Sequence, residues 1–555
     1  MKKIKLFIFL VAASLATTAC KDFLEETPLS DISPDQITDA NSYVNGALNA
    51  VVSDPMFRYG PFPNLWDYDS DDSTGPSWAY GDVGAGNFQG YWGIDYAWRG
   101  PYILIHRCNF GISRIEAMTG MDETMKKNAL GQLYFLRGWA YFLLVRAYGE
   151  VPILTKSITE GEDPQQPKQP VQDVYARAIE DLKTAEDNLG PYQAGRITKG
   201  VASSLLAKVY LTMASGSLSS GQVTVLGGRA TQMVAGQKVL LAPQSITHSK
   251  TAVAGLQGLN SAEYFTLARD KAQEVISSGE YRLFPSHADV WKVANQNQGE
   301  HIWSLQSISN HIEFGNEMSL FRIGRIQTNG EIEGGWIAVS DHWYNLFEEG
   351  DQRITEGVLH RWKMYGGTHY YPLRDSSVVD GTDTSPEAAA KRTKYGYLPT
   401  DISTLDDTHV ARLRKFEAVS DRGVTRANFN FPLLRYADVL LIFAEAANEV
   451  NGGPTAPARE AVNQIRRRNG ATEVGALNQQ QFRSFVLEER RRELALEGDR
   501  RWDLLRWGIY LPVMNAIEID ENNVIKRRQQ KHLLFPIPVS EINSNKALTG
   551  NNPGW

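Results

Sequence analysis

The sequence predicts a mostly α-helical protein in which paired helices form a scaffold beside an irregular, loop-rich lobe. Two observations favour this fold class. Long stretches repeat apolar residues at helical spacing, with alanine and other small residues where two helices could approach closely. Between them lie segments rich in Gly, Ser, Thr, Asp and Pro that have no helical period. A chain of 555 residues that is 42% hydrophobic can bury the core that such a fold needs.

The helical stretches resemble tetratricopeptide units, which have about 34 residues each, although the units are not contiguous here. The scaffold is predicted mainly at residues 33–53, 101–215, 260–284 and 432–510. The loop-rich lobe is predicted mainly at residues 54–100, 216–259 and 285–431. No linker divides the chain, so residues 20–555 are predicted to form one domain.

Several helix boundaries follow from local signals. Ser33, followed by Pro and Asp, begins a helix that should run to about Val52. A second helix should run from Tyr102 to Met118. Further amphipathic helices are expected at residues 171–189, 198–214, 261–278, 436–450, 456–468 and 479–497.

The stretch GQLYFLRGWAYFLLVRAYGEVPIL, residues 131–154, predicts a central helix because it is apolar nearly all round. Arg137 and Arg146 argue against a transmembrane span, since each would cost about 2.5 to 3.5 kcal/mol at a bilayer centre. Gly149 and the following Val-Pro pair should end this helix.

The amino terminus is predicted to be a lipoprotein signal peptide covering residues 1–19. A basic start, MKKIK, precedes the apolar run LFIFLVAASLA, which is too short to span a bilayer. A small residue then precedes Cys20, the expected lipidation site, although Thr17 stands where Leu is usual. The alternative is an ordinary secretory signal with an incidental cysteine. Lipidation is favoured because the chain has only two cysteines, whereas an exported protein stabilised by disulfides should have more.

Charge argues against nucleic-acid binding. The formal net charge is −7, and removing residues 1–19 takes away three lysines and no acids, which leaves −10. Binding to phosphate backbones needs a basic surface.

The segment ERRRELALEGDRRWDLLRWG, residues 489–508, mixes arginines with carboxylates. Its local charges nearly cancel, and a catalytic carboxylate would need to stand apart with a raised pKa. Paired Arg and carboxylate side chains between helices fix orientation, so this segment is predicted to hold helices together. Gly498 should end one helix and Asp499 should cap the next.

Aromatic residues that lie among Gly, Asp and Asn are the candidate ligand-binding residues. Aromatic platforms with planar polar side chains suit sugars, which have flat C–H faces and rings of hydroxyls. The alternative is that these rings fasten long loops to the body. Trp98, Trp343 and Phe347 are expected in the core instead. The candidates are Trp66, Trp78, Tyr80, Asn87, Tyr91, Trp92 and, in the loop EIEGGW, Trp336.

Asp67, Asp69 and Asp71 alternate as in a calcium loop, but Asp72 and Trp78 occupy the positions of the required Gly and Glu. They are a weak calcium candidate, and a solvated acidic loop able to bind hydroxyls is favoured. No other cofactor is predicted, since the sequence has no HExxH, zinc cysteines, GxSxG or P-loop.

Several blocks, in order along the chain, resemble the SusD/RagB family of outer-membrane nutrient-binding lipoproteins. They are the 131–154 helix with its Tyr-Gly-x-Val-Pro end, LLRYADVLLIFAEAANEV, AREAVNQIRRRNG, ERRRELALEGDRRWDLLRWG and LLFPIPVSEINSNKALTGNNPGW. Asn551 stands in place of the usual Gln. The likeness runs nearly end to end and includes the lipoprotein start.

The resemblance implies a helical scaffold of tetratricopeptide-like pairs that supports a ligand-binding lobe. It implies a cell-surface protein, anchored in the outer membrane by lipid at Cys20, that serves as the lid of a SusC-like TonB-dependent transporter. The implied cargo is an oligosaccharide, less often a peptide, and no catalysis is implied. Two alternatives stay open: a surface glycoside hydrolase, and a helical-repeat adaptor that binds peptide or protein.

Overall fold

The computed structural model describes residues 37–52, 56–57, 61–312, 314–371, 376–398, 411–417 and 421–555. The predicted signal peptide, Cys20 and the predicted helix start at Ser33 lie outside these residues. The chain divides into two units, residues 1–42 and residues 43–555. Of the first unit, residues 37–42 are described, and they lead into the first helix.

The described residues are mostly helical, which confirms the predicted fold class. In chain order the helices are α1 (Ala40–Val52), α2 (Pro61–Tyr68), α3 (Ser77–Gly84), α4 (Ile94–Ala117), α5 (Glu123–Tyr148), α6 (Val171–Asn188), α7 (Lys199–Ser217), α8 (Ser261–Ser278), α9 (His287–Val290), α10 (Met318–Arg322), α11 (Asp341–Tyr344), α12 (Gln352–Thr355), α13 (Ser376–Val379), α14 (Pro386–Tyr395), α15 (Tyr436–Val450), α16 (Ala456–Arg468), α17 (Gln479–Glu493), α18 (Arg500–Arg506), α19 (Tyr510–Ile517) and α20 (Val539–Ser544). None of these helices is long and apolar enough to cross a bilayer.

Each sheet in the described part of the chain is a two-stranded antiparallel pair. The pairs are β1 (Ser73–Thr74) with β9 (Ala338–Val339), β2 (Gln222–Gly227) with β5 (Gln244–Ser249), β3 (Thr231–Val234) with β4 (Gln237–Leu240), β6 (His301–Ser304) with β14 (Pro432–Arg435), β7 (Arg325–Ile326) with β8 (Ile332–Glu333), β10 (Val358–Leu359) with β13 (Arg412–Leu413), and β11 (Arg361–Met364) with β12 (Gly367–Tyr370).

The scaffold consists of helices that pack on their neighbours in sequence: α4 on α5, α5 on α6, and α7 on α8. Helix α15, from the carboxyl-terminal part, packs on α8. This contact joins two stretches of scaffold that the loop-rich residues 285–431 separate in the sequence. Local signals set the helix ends. Asp122 accepts a hydrogen bond from the Met125 amide at 2.9 Å, and Asn478 and Gln481 form a capping box at the start of α17.

The predicted boundaries of α8, α15 and α16 are confirmed, whereas residues 54–100 contain more helix than expected. Helices α2 and α3 lie within this segment, and α4 begins at Ile94 rather than Tyr102. Pro101 lies inside α4. The sequence did not reveal helices α2 and α3, because each has only eight residues and neither has a run of aliphatic residues at helical spacing.

A network of buried arginines and carboxylates, here called the ion-pair lattice, joins the carboxyl-terminal helices to the rest of the fold. Arg435 Nη1 lies 2.5 Å from Glu300 Oε1, and its Nε lies 2.7 Å from Glu497 Oε2. Arg353 Nη1 donates to Glu489 Oε1 at 2.7 Å. All five side chains are buried. The prediction that residues 489–508 hold helices together is therefore confirmed.

Glu489 shows how the lattice keeps its charges. Burial disfavours the carboxylate form, but the guanidinium groups of Arg353, Arg492 and Arg466 outweigh burial and lower the pKa of Glu489 to about 2. The carboxylate is therefore ionised at neutral pH. An intact buried pair adds little net stability. Removing one partner is costly, because it leaves the other charge buried and uncompensated.

Two details of this segment differ from the prediction. Helix α17 ends at Glu493, because Leu496 and Gly498 take positive φ angles of 57° and 86° and turn the chain out of the helix. This turn carries Glu497 towards Arg435. Asp499 precedes α18 but its side chain does not cap that helix; it pairs instead with Lys208 at 2.5 Å.

Candidate functional site

A short strand pair brings two predicted loops to one place on the surface. Strand β1 pairs with β9 so that Ser73 faces Val339 and Thr74 faces Ala338. Beyond the pair, the backbone of Gly75, which follows β1, lies against that of Trp336, two residues before β9. A Cβ atom at Gly75 would be 2.2 Å from the Trp336 carbonyl oxygen, so the approach requires glycine.

A glycine turn held by a buried arginine positions Trp336. Gly334 and Gly335 have positive φ angles of 94° and 73°. Arg412 Nη1 donates to the carbonyl oxygens of Gly334 at 3.1 Å and Gly335 at 2.7 Å, and the Gly335 amide donates to the Leu320 carbonyl at 2.7 Å. A Cβ at Gly335 would be 1.6 Å from Arg412 Nη1. The indole of Trp336 is therefore carried on a rigid turn.

Three rings meet at this place and form what we call the aromatic cluster: Trp78, Trp336 and Phe321. The centroids of Trp78 and Trp336 are 5.5 Å apart at an interplanar angle of 73°. The centroids of Phe321 and Trp336 are 5.4 Å apart at an interplanar angle of 66°. Trp78 is 65% exposed, whereas Trp336 and Phe321 are half-buried. The half-buried rings support an indole that faces water, which is the arrangement of a stacking surface.

Polar side chains lie close to Trp78 along the chain and beside the strand pair. Asp82 follows Trp78 by one helical turn in α3 and is exposed. Its Oδ1 accepts a hydrogen bond from Asn87 Nδ2 at 3.0 Å. Asn522 Nδ2 donates to Thr74 Oγ1 at 2.8 Å beside the strand pair. Carboxylate and amide groups next to an exposed indole can bind hydroxyls while the ring binds an apolar face.

Trp66, Tyr80 and Tyr91, all candidates from the sequence, are buried and so offer no face to a ligand. The Trp66 ring packs edge-on to Phe57 at 5.9 Å. The Tyr80 hydroxyl donates to the Ser73 carbonyl at 2.7 Å. Burial raises the pKa of Tyr91 above its usual value. These three rings fasten the segment to the body, which is the alternative that the sequence left open.

Trp92, another candidate, is 56% exposed and lies on a different small surface. Its ring contacts Tyr91 at 5.4 Å and Tyr96 at 5.8 Å, and the Arg99 guanidinium lies 5.0 Å from the Tyr96 ring. The structure thus unites Trp78 with Trp336 and places Trp92 among its own neighbours. Trp98 and Trp343 are buried in the core, as predicted, and Phe347 is half-buried against Trp343.

The weak calcium candidate is wrong, and so is the solvated acidic loop that was favoured over it. Asp67, Asp69 and Asp71 are buried, and each pairs with arginine. Arg500 binds Asp71 through Nε at 2.8 Å and Nη2 at 2.7 Å. With their charge already matched by guanidinium groups, these carboxylates do not suit a hard cation.

The other arginine partners of these three aspartates are Arg322 for Asp67, Arg501 and Arg528 for Asp69, and Arg491, at 3.4 Å, for Asp71. Within the described residues no group of three or more His, Cys, Asp or Glu side chains is placed to hold a metal ion.

A second group of buried charges lies close to strand β1. Glu521 Oε1 accepts from the Asp341 amide at 2.8 Å, and Asp520 Oδ2 accepts from Thr74 Oγ1 at 3.2 Å. Burial, followed by the neighbouring charge of Asp520, raises the pKa of Glu521 to about 7. Burial lowers the pKa of Lys526, which donates to the Ser70 and Ser73 carbonyls, to about 8.

Sequence reasoning missed Phe321, Asp82 and Arg412. Phe321 belongs to SLFRIG, a short stretch that reads as ordinary packing. Arg412 lies far along the chain from the turn that it holds. Only Asp82 had a local signal, because it follows Trp78 by four residues, the spacing of one helical face.

Comparison with known proteins places the chain in one family. A family model described as "SusD family" matches residues 289–555, and one described as "Starch-binding associating with outer membrane" matches residues 22–211. The SusD-like protein P2 of Formosa agariphila is 25% identical, over 100% of both chains.

Solved structures agree with this result at the level of the fold. A SusD homologue from Bacteroides thetaiotaomicron superposes with a TM-score of 0.73 at 21% identity, covering 93% of this chain and 96% of that one. Surface glycan-binding protein A from the same species, solved in complex with laminarihexaose, has a TM-score of 0.66 at 19% identity and covers 92% and 98%. The two family models together match residues 22–211 and 289–555, which is most of the chain, so the chain belongs to the SusD/RagB family.

Proposed function

We propose that this protein binds an oligosaccharide at the aromatic cluster and delivers it to a SusC-like TonB-dependent transporter in the outer membrane. The observation that carries the proposal is the exposed Trp78 indole, braced edge-on by Trp336. A glycan ring stacked on one indole face of about 100 Å² would gain about 2.5 kcal/mol before the costs of association. The polar groups of Asp82 and Asn87 would then bind ring hydroxyls.

The comparisons support the ligand class. One structural neighbour is described as a laminarin-binding SusD-like protein, and another was solved with laminarihexaose. Those ligands are properties of those proteins. For this chain they favour glycan over the peptide or protein cargo of an adaptor.

Calorimetry against a glycan panel, with laminarihexaose as the first probe, tests the binding site. We expect Trp78→Ala and Trp336→Ala each to weaken binding about tenfold or more, since each removes about 1.4 kcal/mol or more of stacking. Trp92→Ala is the matched control, because it removes an indole of similar exposure, 56% against 65% for Trp78, outside the cluster. If glycan affinity falls in Trp92→Ala and not in Trp78→Ala, the binding site is not at the aromatic cluster.

The lipid anchor is a separate part of the proposal. Acylation at Cys20 would hold the protein at the membrane without a spanning helix, because each buried methylene contributes roughly 0.8 kcal/mol. Labelling cells with a clickable fatty acid should mark the wild-type protein and not the Cys20→Ser variant. Equal labelling of both would contradict the anchor.

The transporter partner is tested by co-purification from detergent-solubilised outer membrane. We expect a large β-barrel protein to accompany the wild-type chain at stoichiometric yield. Recovery of the chain alone, from membranes that contain the barrel, would contradict the lid role.

The hydrolase alternative has one observation in its favour, the raised pKa of Glu521. Burial and the adjacent Asp520 account for that pKa, and Glu521 is itself buried. We therefore expect bound oligosaccharide to be recovered intact after prolonged incubation. Shorter products that vanish with Glu521→Gln would establish the hydrolase instead.

A further inference from the structure

A long two-stranded ribbon, residues 222–249, lies between helices α7 and α8 in the chain. Strands β2 and β5 form its base, and strands β3 and β4 form its outer part. The Leu241 amide donates to the Ala230 carbonyl at 2.9 Å and so joins the two strand pairs. At the base, the Thr224 amide donates to Ser484 Oγ of helix α17 at 2.9 Å. The base of the ribbon is therefore fixed to the scaffold.

The tip of the ribbon is apolar and exposed. Every residue from 232 to 236 is exposed, including Met233 at 66% and Val234 at 48%. Val239 of β4 is 39% exposed. Successive residues of a strand point to opposite faces, so Met233 and Val234 place apolar side chains on both faces of the ribbon. A partner that lies against one face would cover only one of them, whereas an apolar medium that surrounds the tip would cover both.

The turn at the tip carries no polar side chain. Ala235 and Gly236 have positive φ angles of 50° and 80°. Two-residue hairpin turns with positive φ at both positions usually have Asn, Asp or Gly at the first, because other residues are strained there. Alanine accepts this strain and spares the tip a polar group that would be costly to bury. The turn therefore favours a tip that leaves water.

Charge sets this part of the chain apart from the rest. No Asp or Glu occurs between Asp187 and Glu263, although the chain has 64 acidic residues in 555. The outer part of the ribbon contains two basic residues instead. Arg229 is exposed, and Lys238 lies opposite Met233 in the β3–β4 register. An apolar tip with two cations and no carboxylate suits a surface that is apolar inside and anionic outside.

We propose that the tip of the ribbon inserts into the headgroup region of an anionic lipid bilayer, a membrane contact that does not involve Cys20. The three residues from 233 to the turn span about 10 Å at ~3.4 Å per residue, and interfacial segments enter a bilayer by about 5–10 Å. Insertion stops at that depth because, in the described part of the chain, β3 and β4 pair only with each other. Their outer edges keep unpaired backbone groups, which cannot enter the hydrocarbon core.

Vesicle flotation of the mature chain from residue 21, which carries no acyl group, tests the proposal. The probes are vesicles of phosphatidylcholine alone and of phosphatidylcholine with about 30 mol% phosphatidylglycerol. We expect the protein to float with the anionic vesicles and much less with the neutral ones. Added salt should weaken this binding, because it screens the attraction between the basic residues and the lipid phosphates.

Two pairs of substitutions separate the apolar and the basic contributions. Met233→Ser combined with Val234→Ser should weaken binding to anionic vesicles about tenfold or more, because two apolar side chains no longer leave water. Arg229→Ser combined with Lys238→Ser should weaken it about fivefold for each charge removed.

The matched control is Ile308→Ser combined with Ile312→Ser. It also removes two exposed apolar side chains, at 56% and 63% exposure, from the segment between β6 and α10. It should leave vesicle binding unchanged. Equal losses in the control and in the Met233 and Val234 variant would contradict insertion by the tip.

A dye attached through Ala235→Cys reports insertion directly, since Cys108 is buried. Its emission should shift to the blue when anionic vesicles are added. Three results would overturn the proposal: no flotation with anionic vesicles, flotation that Met233→Ser combined with Val234→Ser leaves intact, or no blue shift at position 235. If the tip variant loses a co-purifying barrel protein and floats normally, the tip binds protein and not lipid. Glycan affinity and acylation at Cys20 are measured separately and do not depend on these results.

Discussion

The neighbouring segments 66–74 and 77–92 contain similar types of residue but differ in burial. Both mix Trp and Tyr with Asp and Ser, yet every residue of the first segment is buried, whereas the second exposes Trp78 and Trp92. The difference lies in the partners. Arginines from distant parts of the chain neutralise Asp67, Asp69 and Asp71, so the first segment can enter the interior. An aromatic and acidic stretch is therefore a binding surface only where the rest of the fold does not supply counter-charges.

The largest expected effect comes from breaking the buried side of this comparison. Asp69→Ala removes the carboxylate that pairs with Arg501 and Arg528, and it leaves two buried guanidinium groups without that partner. We expect a loss of about 3–5 kcal/mol in the free energy of unfolding, measured in urea. The matched control is Glu460→Ala, which breaks an exposed pair with Arg467 and should cost at most ~1 kcal/mol. Similar losses for both would show that the lattice does not stabilise the fold.

The two tryptophans of the comparison should separate stability from binding. Trp66→Ala empties a buried site and should cost about 3–5 kcal/mol. Trp78→Ala removes a mostly exposed ring and should change stability by no more than about 1 kcal/mol, the value of its edge contact with Trp336. Thermal and urea unfolding of both variants checks this. A strongly destabilised Trp78 variant would mean that the exposed segment is also structural.

The glycine turn under Trp336 gives the next effect in size. Gly335→Ala combines a positive φ with a Cβ that would collide with Arg412, so we expect about 1–3 kcal/mol of destabilisation and weaker glycan binding. Gly330→Ala is the matched control. It has a similar φ of 81° but open space around the added methyl group, so it should leave glycan affinity unchanged.

The smallest effect is a change in the pH dependence of stability. The pKa of Glu521 is raised to about 7 by burial, so the folded state holds a proton that the unfolded state has lost above about pH 4.5. Its contribution is present at low pH and is lost as the pH rises through 7. In Glu521→Gln the free energy of unfolding should depend less on pH across this range. At pH 8 it should exceed the wild-type value by on the order of 1 kcal/mol.

Glu489 should change the pH dependence of stability in the opposite direction to Glu521. Its pKa is lowered to about 2, so its contribution is present above about pH 4.5 and is lost as the pH falls towards 2. Glu489→Gln should therefore be destabilised at neutral pH. Two variants with the same sign of effect at pH 8 would contradict the electrostatic account of both sites.

The sequence was sufficient for the scaffold because its signals are local. The period of apolar residues predicted the bounds of α8 and α16 to the residue, and in the structure Asn260 and Thr455 cap the starts of these two helices. The lattice was also predictable in kind, since arginines in near balance with carboxylates have few roles other than pairing. Its connections were not. Asp69 and Arg528 are separated by 459 positions, and no local pattern joins them.

The candidate site was predicted only in part, because some of its signals are local and others depend on contacts between distant residues. The glycines of EIEGGW indicated a turn able to deliver Trp336, and the turn is observed. Which of the aromatics between Trp66 and Trp92 would meet it depended on the β1–β9 pairing, whose four residues carry too little pattern to reveal a strand. Trp66 and Tyr80 are buried because they contact residues near the other end of the chain, such as Gly498 and Lys526.

The seclusion of Cys108 has a practical consequence. This thiol is fully buried inside α4, and burial raises its pKa, so thiol-reactive dyes should not reach it in the folded protein. In a chain that starts after Cys20, a cysteine introduced beside Trp78 or beside Trp92 would then be the reactive one. Each candidate surface could carry its own fluorophore, and occupancy of the two could be followed separately in a single titration.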